Sequence, residues 1–216
     1  MNARLFRSPA TTVHGYRVLA ALALGLALGC QAAPPNTLSR APVANAAPLP
    51  TTSVYQLPVA LTDQNGRNFA LAEERGRPML ISMFYTSCQF VCPMLIDTLR
   101  DTESKLDASD REQLGVLLVS LDPARDSVAV LKRKADERGV AGPRWAMART
   151  DSASVRKLAA VLGIQYRALA DGEFNHTTAL ILLDGEGRIV GRSSRLGNAD
   201  PAFVRKVHAV LQAAPH

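Results

Sequence analysis

Two cysteines, Cys88 and Cys92, stand four residues apart in the run YTSCQFVCP. If the chain is helical there, both sulfurs lie on one face with Cα atoms about 6 Å apart, which is within disulfide range. Pro93 favours the first turn of a helix, so the pair stands at or just before a helix N-terminus. The free N–H groups and the dipole at such an end favour thiolate over thiol. The spacing therefore predicts a site that handles thiols or a metal ion.

The three residues between these cysteines leave several kinds of site open. In an oxidising compartment a lone close pair is a disulfide, a redox couple or a metal site. A purely structural disulfide is disfavoured, because closing so short a loop removes little entropy from the unfolded chain. Exchange enzymes of the thioredoxin type have two residues between their cysteines, and the wider loop here also admits a metal ion. Two thiolates favour a soft ion, copper or zinc, and we expect a third ligand.

The four histidines of the chain offer one good candidate for that ligand. His14 lies in the N-terminal leader, His208 on the last predicted helix, and His216 at the C-terminus. His176 lies in a predicted loop that enters a buried strand, and such loops often carry functional side chains. We therefore expect His176 to join the cysteines.

The N-terminus has the pattern of an export signal, over residues 1–29. Its arginines precede an apolar run of twelve residues, 18–29, which is shorter than the roughly 20 residues that span a bilayer. The run ends in Ala-Leu-Gly-Cys, a pattern similar to a bacterial lipoprotein cleavage site, so Cys30 is the expected point of lipidation. The alternative is cleavage a few residues later, which would give a soluble protein. Either route predicts a periplasmic location.

The rest of the chain reads as a spacer followed by one domain. Residues 30–50 are rich in Ala and Pro, which is typical of an extended linker, and residues 51–216 form the predicted domain. The net charge is +6, of which the leader contributes +3 through three arginines and no acids, leaving +3. The remaining charges of both signs are interspersed and aromatic residues are few, so we expect no nucleic acid partner.

Strand and helix patterns alternate along this domain. Asn65-Gly66 marks a turn within residues 54–71, which predicts an N-terminal β-hairpin. Two apolar runs are typical of strands buried on both faces. The runs are residues 79–85 and 115–121. Four helices are predicted: one that begins near residue 93, one over residues 127–138, one with its N-cap at Ser152 and one that begins at Asp200. A second hairpin is predicted over residues 177–192. This order indicates an α/β domain with a central mixed sheet. A cysteine pair where the first buried strand meets its helix narrows it to the thioredoxin-like class.

Three motifs in this order resemble the SCO/SenC family of copper-binding thioredoxin-like proteins, which act in cytochrome c oxidase assembly. They are YTSCQFVCP, SLDPARD and FNHTTALILLDGEGRIV, and the resemblance extends over roughly residues 54–212. It implies that Cys88, Cys92 and His176 bind one copper ion per chain. Such a set suits three-coordinate Cu(I) and tolerates Cu(II) with a further weak ligand. Met94 is a candidate for that position, although packing in the helix core is the simpler interpretation.

The resemblance also implies partners. Family members receive copper from a donor and pass it to the CuA centre of cytochrome c oxidase subunit II, reduce the cysteines of that centre, or both. The family often has an acidic residue where this chain has Asn175, so the hydrogen bonds around the metal are open. Asp122 and Asp126 have either a supporting role beside the metal or the ordinary roles of a turn residue and a helix cap.

Other activities remain as alternatives to a copper chaperone. A thiol–disulfide oxidoreductase would use Cys88 and Cys92 as its redox-active pair. Its activity would need both cysteines and would not depend on His176. A thiol peroxidase expects Thr three positions before its reactive cysteine, and Tyr85 stands there. A structural zinc site would need a fourth protein ligand. We expect a binding protein rather than an enzyme.

Overall fold

The computed structural model describes residues 47–214 of the 216-residue chain. The chain divides into two units, Met1–Asn45 and Ala46–His216, and every element described below belongs to the second. The predicted leader, Cys30, His14, most of the linker and His216 lie outside the described residues. None of the helices within residues 47–214 has the length and apolar character needed to cross a bilayer.

A seven-stranded mixed sheet forms the centre of the described domain, with the strand order β2-β1-β5-β4-β3-β8-β9. Strands β3, β4 and β5 run parallel to one another, and β1, β8 and β9 pair antiparallel with their neighbours. The strands are β1 Ala60–Asp63, β2 Asn68–Ala70, β3 Met79–Phe84, β4 Gly115–Ser120, β5 Trp145–Arg149, β6 Tyr166–Ala168, β7 Phe174–His176, β8 Leu180–Leu183 and β9 Ile189–Ser193.

The two strands at the middle of this sheet are buried along their whole length. Every residue of β3 and of β4 is buried, as their apolar sequences predict for strands covered on both faces. Their parallel register pairs Met83 with Val119 and Phe84 with Ser120. The carboxyl ends of β3 and β4 therefore lie side by side, and so do the segments that follow them, the cysteine loop and the DPARD loop.

Within residues 47–214, five helices accompany the sheet, and most begin within a residue or two of the predicted position. They are α1 Val91–Ser104, α2 Ala108–Gln113, α3 Val128–Glu137, α4 Ser152–Val161 and α5 Pro201–Gln212. The prediction of Ser152 as an N-cap is wrong, because Asp151 caps α4 by accepting from the N–H groups of Ala153 and Ser154. Short α2 was not predicted; Asp107 caps it through the N–H of Asp110.

The predicted N-terminal hairpin is present as β1 and β2. Gly66 adopts a φ of 79°, the left-handed conformation that the turn requires. The Asp63 carboxylate accepts from the backbone N–H groups of Asn65 and Arg67 and so closes the turn. Because β1 also pairs with β5, the hairpin extends the central sheet at one edge. The first residues of the predicted hairpin, Val54–Gln56, form a 3₁₀ turn instead.

His176 does not lie in a loop, as the sequence interpretation had it. It ends β7, which pairs with β6 to form a separate two-stranded sheet. Tyr166 faces His176 across this pair, and Ala168 faces Phe174. We call residues 166–176 the His176 hairpin. Because His176 is paired into this hairpin, its imidazole moves with the hairpin. The contacts that the hairpin makes with the rest of the domain therefore determine where the imidazole lies.

Candidate metal centre

The cysteine loop joins the end of β3 to the start of α1. Phe90 is the N-cap of α1 and provides no side-chain acceptor, so the N–H groups of the first turn are available to other partners. The N–H of Cys92 lies 3.3 Å from the sulfur of Cys88 and donates to it. Both cysteines are free thiols, with Cys88 half-buried and Cys92 buried.

The two thiols differ in acidity. Partial burial by itself would raise the pKa of Cys88, but hydrogen bonds from Cys92, from the Phe90 backbone and from Tyr85 lower it below the ordinary thiol value. Burial raises the pKa of Cys92, and the neighbouring Cys88 adds to the increase. Cys88 is therefore the more acidic thiol of the pair, and Cys92 is the harder one to deprotonate.

Tyr85 follows β3 and connects the cysteine loop with the His176 hairpin. Its backbone carbonyl accepts from the Cys88 N–H at 3.4 Å. Its hydroxyl donates to the Glu173 carboxylate at 2.8 Å, its ring packs on Phe174 with centroids 5.2 Å apart, and it meets the edge of His176 at 5.7 Å. Burial, together with the hydrogen bond to Glu173, raises the pKa of Tyr85, which therefore stays a neutral phenol.

The imidazole of His176 is half-buried and oriented by its own backbone neighbour. Its Nδ1 lies 3.2 Å from the Thr177 carbonyl oxygen, which can only accept, so this contact places the proton on Nδ1. Burial lowers the pKa of His176, against a smaller opposite effect of this hydrogen bond. The neutral ring then presents the lone pair of Nε2, the usual state of a metal-binding histidine.

The donor atoms of Cys88, Cys92 and His176 do not yet form a closed site. Among the described residues, one group of three or more His, Cys, Asp and Glu residues brings its donor atoms within 4.8 Å of one another, and these three residues are not that group. The structure brings the three side chains around Tyr85, and a single ion could bind all of them only after the hairpin and the cysteine loop approach each other. The donor types themselves fit a soft ion: two thiols, of which Cys88 is the more acidic, and a neutral imidazole.

The group that does satisfy this distance consists of Asp107, Asp110 and His208, which the sequence interpretation had not combined. Asp110 is fully buried and accepts from Gln212 at 2.9 Å and also contacts Nδ1 of His208. These contacts join α5 to α2 and satisfy both oxygens of the buried carboxylate. The group is accounted for by this structural role.

Asp126, in the DPARD loop, holds the segment that leads to Cys88. It is buried, at 1% exposure, and its carboxylate accepts from the Ser120 hydroxyl at 2.5 Å and from the backbone N–H of Thr86 at 3.1 Å. The Thr86 hydroxyl also donates to it. The alternative role as a helix cap is wrong, because Ser127 caps α3. Asp126 therefore supports the cysteine loop and is not a metal ligand in this arrangement.

Asp122 acts on the other half of the site through Arg125. The Arg125 guanidinium pairs with the Asp122 carboxylate and donates to the Gly172 carbonyl in the turn of the His176 hairpin. The guanidinium also lies 6.0 Å from the centroid of the Phe174 ring. The two aspartates of one short loop thus hold the two halves of the candidate site.

Met94 is not packed in the helix core, so that interpretation is wrong. Its side chain is exposed, as is that of Phe90, while Lys134 and Arg138 line the pocket beside the thiols. The sequence interpretation also missed Glu173 and Arg125, and it used Tyr85 only to argue against a peroxidase. The one available signal was their position, since Tyr85 and Arg125 stand inside the recognised motifs and Glu173 directly precedes one.

The sequence model of the SCO1/SenC family matches residues 49–212. The chain belongs to this family. The chain is 36% identical over 72 residues to a protein of Stutzerimonas stutzeri described as a putative copper-binding protein, over 33% of this chain and 35% of the relative. The curated relatives are matched over only 25–45% of their own length.

Solved structures of Sco proteins share the fold. Bradyrhizobium japonicum ScoI with copper bound aligns with a TM-score of 0.60 and 24% identity, over 74% of this chain and 98% of that one. BsSco, described as having a disulfide switch and as a member of the Sco family of cytochrome c oxidase assembly proteins, aligns with a TM-score of 0.62 and 19% identity, over 78% and 97%. The predicted thioredoxin-like fold, with its central mixed sheet and added hairpin, is confirmed.

The difference in acidity predicts which thiol reacts first. In metal-free, reduced chain carrying Cys30→Ser, we expect iodoacetamide at neutral pH to alkylate the Cys92→Ser variant at least about tenfold faster than Cys88→Ser, because thiolate reacts and thiol does not. The rate for Cys88 should fall only as pH drops through its lowered pKa, below the range of an ordinary thiol. Stopped-time mass spectrometry measures both rates. The urea-unfolded variants are the control, and equal rates in the folded proteins would contradict the assignment.

The hydrogen bonds of Asp126 predict a large effect on stability. Asp126→Ala removes the acceptor of the buried Ser120 hydroxyl, at about 1–3 kcal/mol, and that of the half-buried Thr86, at less, so we expect the free energy of unfolding to fall by about 2 kcal/mol. Asp136→Ala is the matched control, since this exposed carboxylate pairs with Lys132 on the surface. Its loss should change the free energy of unfolding by less than about 1 kcal/mol. Urea denaturation of the metal-free proteins measures both. Equal losses would show that Asp126 does not hold the cysteine segment.

Proposed function

We propose that the chain is a copper-binding protein of cytochrome c oxidase assembly that delivers copper to the CuA site of subunit II. The observation that carries this proposal is the gathering of Cys88, Cys92 and a neutral His176 around Tyr85, in a chain of the SCO1/SenC family. The copper named for the Stutzerimonas relative and for Bradyrhizobium ScoI supports the choice of metal.

The three side chains can hold copper in either oxidation state. Two thiolates and one imidazole satisfy Cu(I) in trigonal coordination, and Cu(II) accepts the same set with one weak further ligand. Cys92 must lose its proton on binding, so loading releases a proton and is weaker at low pH. Cys88 loses its proton more readily, because the N–H of Cys92 stabilises its thiolate.

A second candidate role is reduction of the acceptor's disulfide, and the unequal acidity of the thiols favours it. The Cys88 thiolate would attack one sulfur of the acceptor disulfide, forming a mixed disulfide and releasing the other sulfur as a thiolate. Cys92 would then lose its proton and attack the Cys88 sulfur, forming the Cys88–Cys92 disulfide and releasing the second acceptor thiolate. Two electrons pass from this pair to the acceptor, which becomes ready to bind copper.

We also propose how the domain is placed in the cell. Residues 1–29 act as an export signal, Cys30 carries lipid, and residues 30–50 are a spacer that holds the domain 51–216 at the periplasmic face of a bacterial inner membrane. The apolar run of twelve residues before Cys30 supports this placement.

Copper binding is tested by titration of the reduced chain carrying Cys30→Ser. We expect one Cu(I) or one Cu(II) per chain, with an intense sulfur-to-Cu(II) charge-transfer band in the visible range. Cys88→Ser and Cys92→Ser should abolish the band, and His176→Ala should weaken binding at least about 100-fold, since one of three ligands is lost. His216→Ala is the matched control and should change nothing.

Unchanged affinity in His176→Ala would contradict the three-ligand site.

The reductase role is tested separately, by offering the reduced, metal-free protein an oxidised CuA domain and counting the thiols produced. Reduction that needs both cysteines and is unaffected by His176→Ala would place thiol exchange ahead of copper delivery.

The anchor is tested in cells. Expressed with its leader in a Gram-negative bacterium, the chain should fractionate with membranes, and mass spectrometry should find diacylglycerol on Cys30. Cys30→Ser should release or block the processed form, whereas Ser39→Ala should leave it in the membrane fraction. A soluble chain cleaved beyond Cys30 would mean ordinary signal-peptidase processing.

A further inference from the structure

One side chain of the segment before Cys88 contacts the His176 hairpin at several points. Tyr85, only 4% exposed, touches three residues of the segment 173–176: the Glu173 carboxylate, the Phe174 ring and, edge to face, the His176 ring. Its hydroxyl oxygen also lies 3.5 Å from both the backbone N and the carbonyl O of Phe174. Since Tyr85 stands three residues before Cys88, this side chain links the hairpin directly to the segment that carries the thiols.

The hydroxyl of Tyr85 is already used in this contact. It donates its proton to a carboxylate, a charge-assisted hydrogen bond that is stronger than one between neutral groups. The same hydroxyl is also within hydrogen-bond reach of the Cys88 sulfur, whose pKa it lowers, so it lies between the hairpin and the thiol. The ring, by contrast, fills the space between the hairpin and the cysteine loop through apolar contact, which does not depend on the hydroxyl.

A second contact holds the far end of the hairpin independently. Arg125 donates to the Gly172 carbonyl in the turn while its charge is paired with Asp122. Loss of the Tyr85 hydroxyl would therefore leave the hairpin folded and attached at its turn. What would change is the freedom of the His176 end, which is the end that carries the proposed ligand.

We infer that the hydrogen bond between Tyr85 and Glu173 is a positioning contact that sets the distance of His176 from the two thiols, and with it the affinity for copper. The inference rests on the proposed copper site. Because the donor atoms of Cys88, Cys92 and His176 do not all lie within 4.8 Å of one another, the hairpin and the cysteine loop have to approach each other before one ion can bind all three. The hydrogen bond between Tyr85 and Glu173 restricts the positions that the hairpin can take. A hairpin free to sample other positions presents His176 correctly for less of the time, and apparent affinity falls in proportion.

The test compares two identical substitutions in the full chain carrying Cys30→Ser. Tyr85→Phe removes the hydroxyl and keeps the ring. Tyr166→Phe is the matched control in the same hairpin, since the Tyr166 ring also contacts Phe174, at 6.2 Å, but within residues 47–214 its hydroxyl has no hydrogen-bond partner. We expect the Cu(I) dissociation constant to rise about tenfold in Tyr85→Phe and less than about twofold in Tyr166→Phe, by competition with a chromophoric chelator.

The partner residue provides a rescue and a coupling measurement. Glu173→Ala removes the contact with the hairpin but leaves the Tyr85 hydroxyl beside Cys88, so it should also weaken binding, by no more than Tyr85→Phe. Glu173→Gln keeps an acceptor and should recover part of the affinity. The double variant Tyr85→Phe/Glu173→Ala should bind no more weakly than Tyr85→Phe alone, because the bond that Glu173→Ala removes is already absent there. In metal-free protein, amide hydrogen exchange over residues 173–176 should be faster in Tyr85→Phe and unchanged in Tyr166→Phe, a readout that needs no copper.

The outcomes separate this inference from the proposed function. If wild-type binding depends on Cys88, Cys92 and His176 while Tyr85→Phe and Glu173→Ala bind as wild type, the positioning contact is overturned and the copper site stands. Additive losses in the double variant would overturn it as well. If wild-type binding does not depend on His176, the proposed site and the inference both fail.

Discussion

The hydrogen bond from the Cys92 N–H to the Cys88 sulfur is the interaction on which the candidate centre depends. It exists because α1 begins without a capping side chain, which leaves the N–H groups of its first turn for a sulfur that arrives from the preceding loop. A Ser or Asp at the position of Phe90 would compete for the same donors and raise the pKa of Cys88. Because the exposed Phe90 side chain has no hydrogen-bond acceptor, it leaves these N–H groups to the Cys88 sulfur.

That bond is useful only if the loop before it is held in place, and the buried loop residues do this. β3 and β4 end side by side, so the DPARD loop after β4 lies against the segment after β3. Asp126 binds Thr86 on the cysteine side, and Arg125, paired with Asp122, binds the Gly172 carbonyl on the histidine side. One loop therefore supports both halves of the site, and neither aspartate has to touch a metal to be necessary for it.

Much of this arrangement could be predicted from the sequence, and the remainder could not for identifiable reasons. The apolar runs gave β3 and β4, and the spacing of Cys88 and Cys92 with Pro93 placed the thiols at a helix start, because these features act over a few residues. The Tyr85–Glu173 and Thr86–Asp126 contacts join residues 88 and 40 positions apart, and no local pattern encodes such pairings. The three-residue strand that ends at His176 is likewise too short to give a periodic signal.

The separation of the donors onto two elements has a consequence for redox control. Oxidation of Cys88 and Cys92 to a disulfide would consume both sulfur donors within the cysteine loop and its helix, while His176 stays on a hairpin held by Tyr85 and Arg125. The contacts of the hairpin do not involve either sulfur, so the imidazole can remain in place while the oxidised cysteines are unable to bind metal. Reduction then restores the whole ligand set at once, since only two sulfurs on one short segment have to be released. The oxidation state of the thiols can therefore gate metal binding without any refolding of the domain.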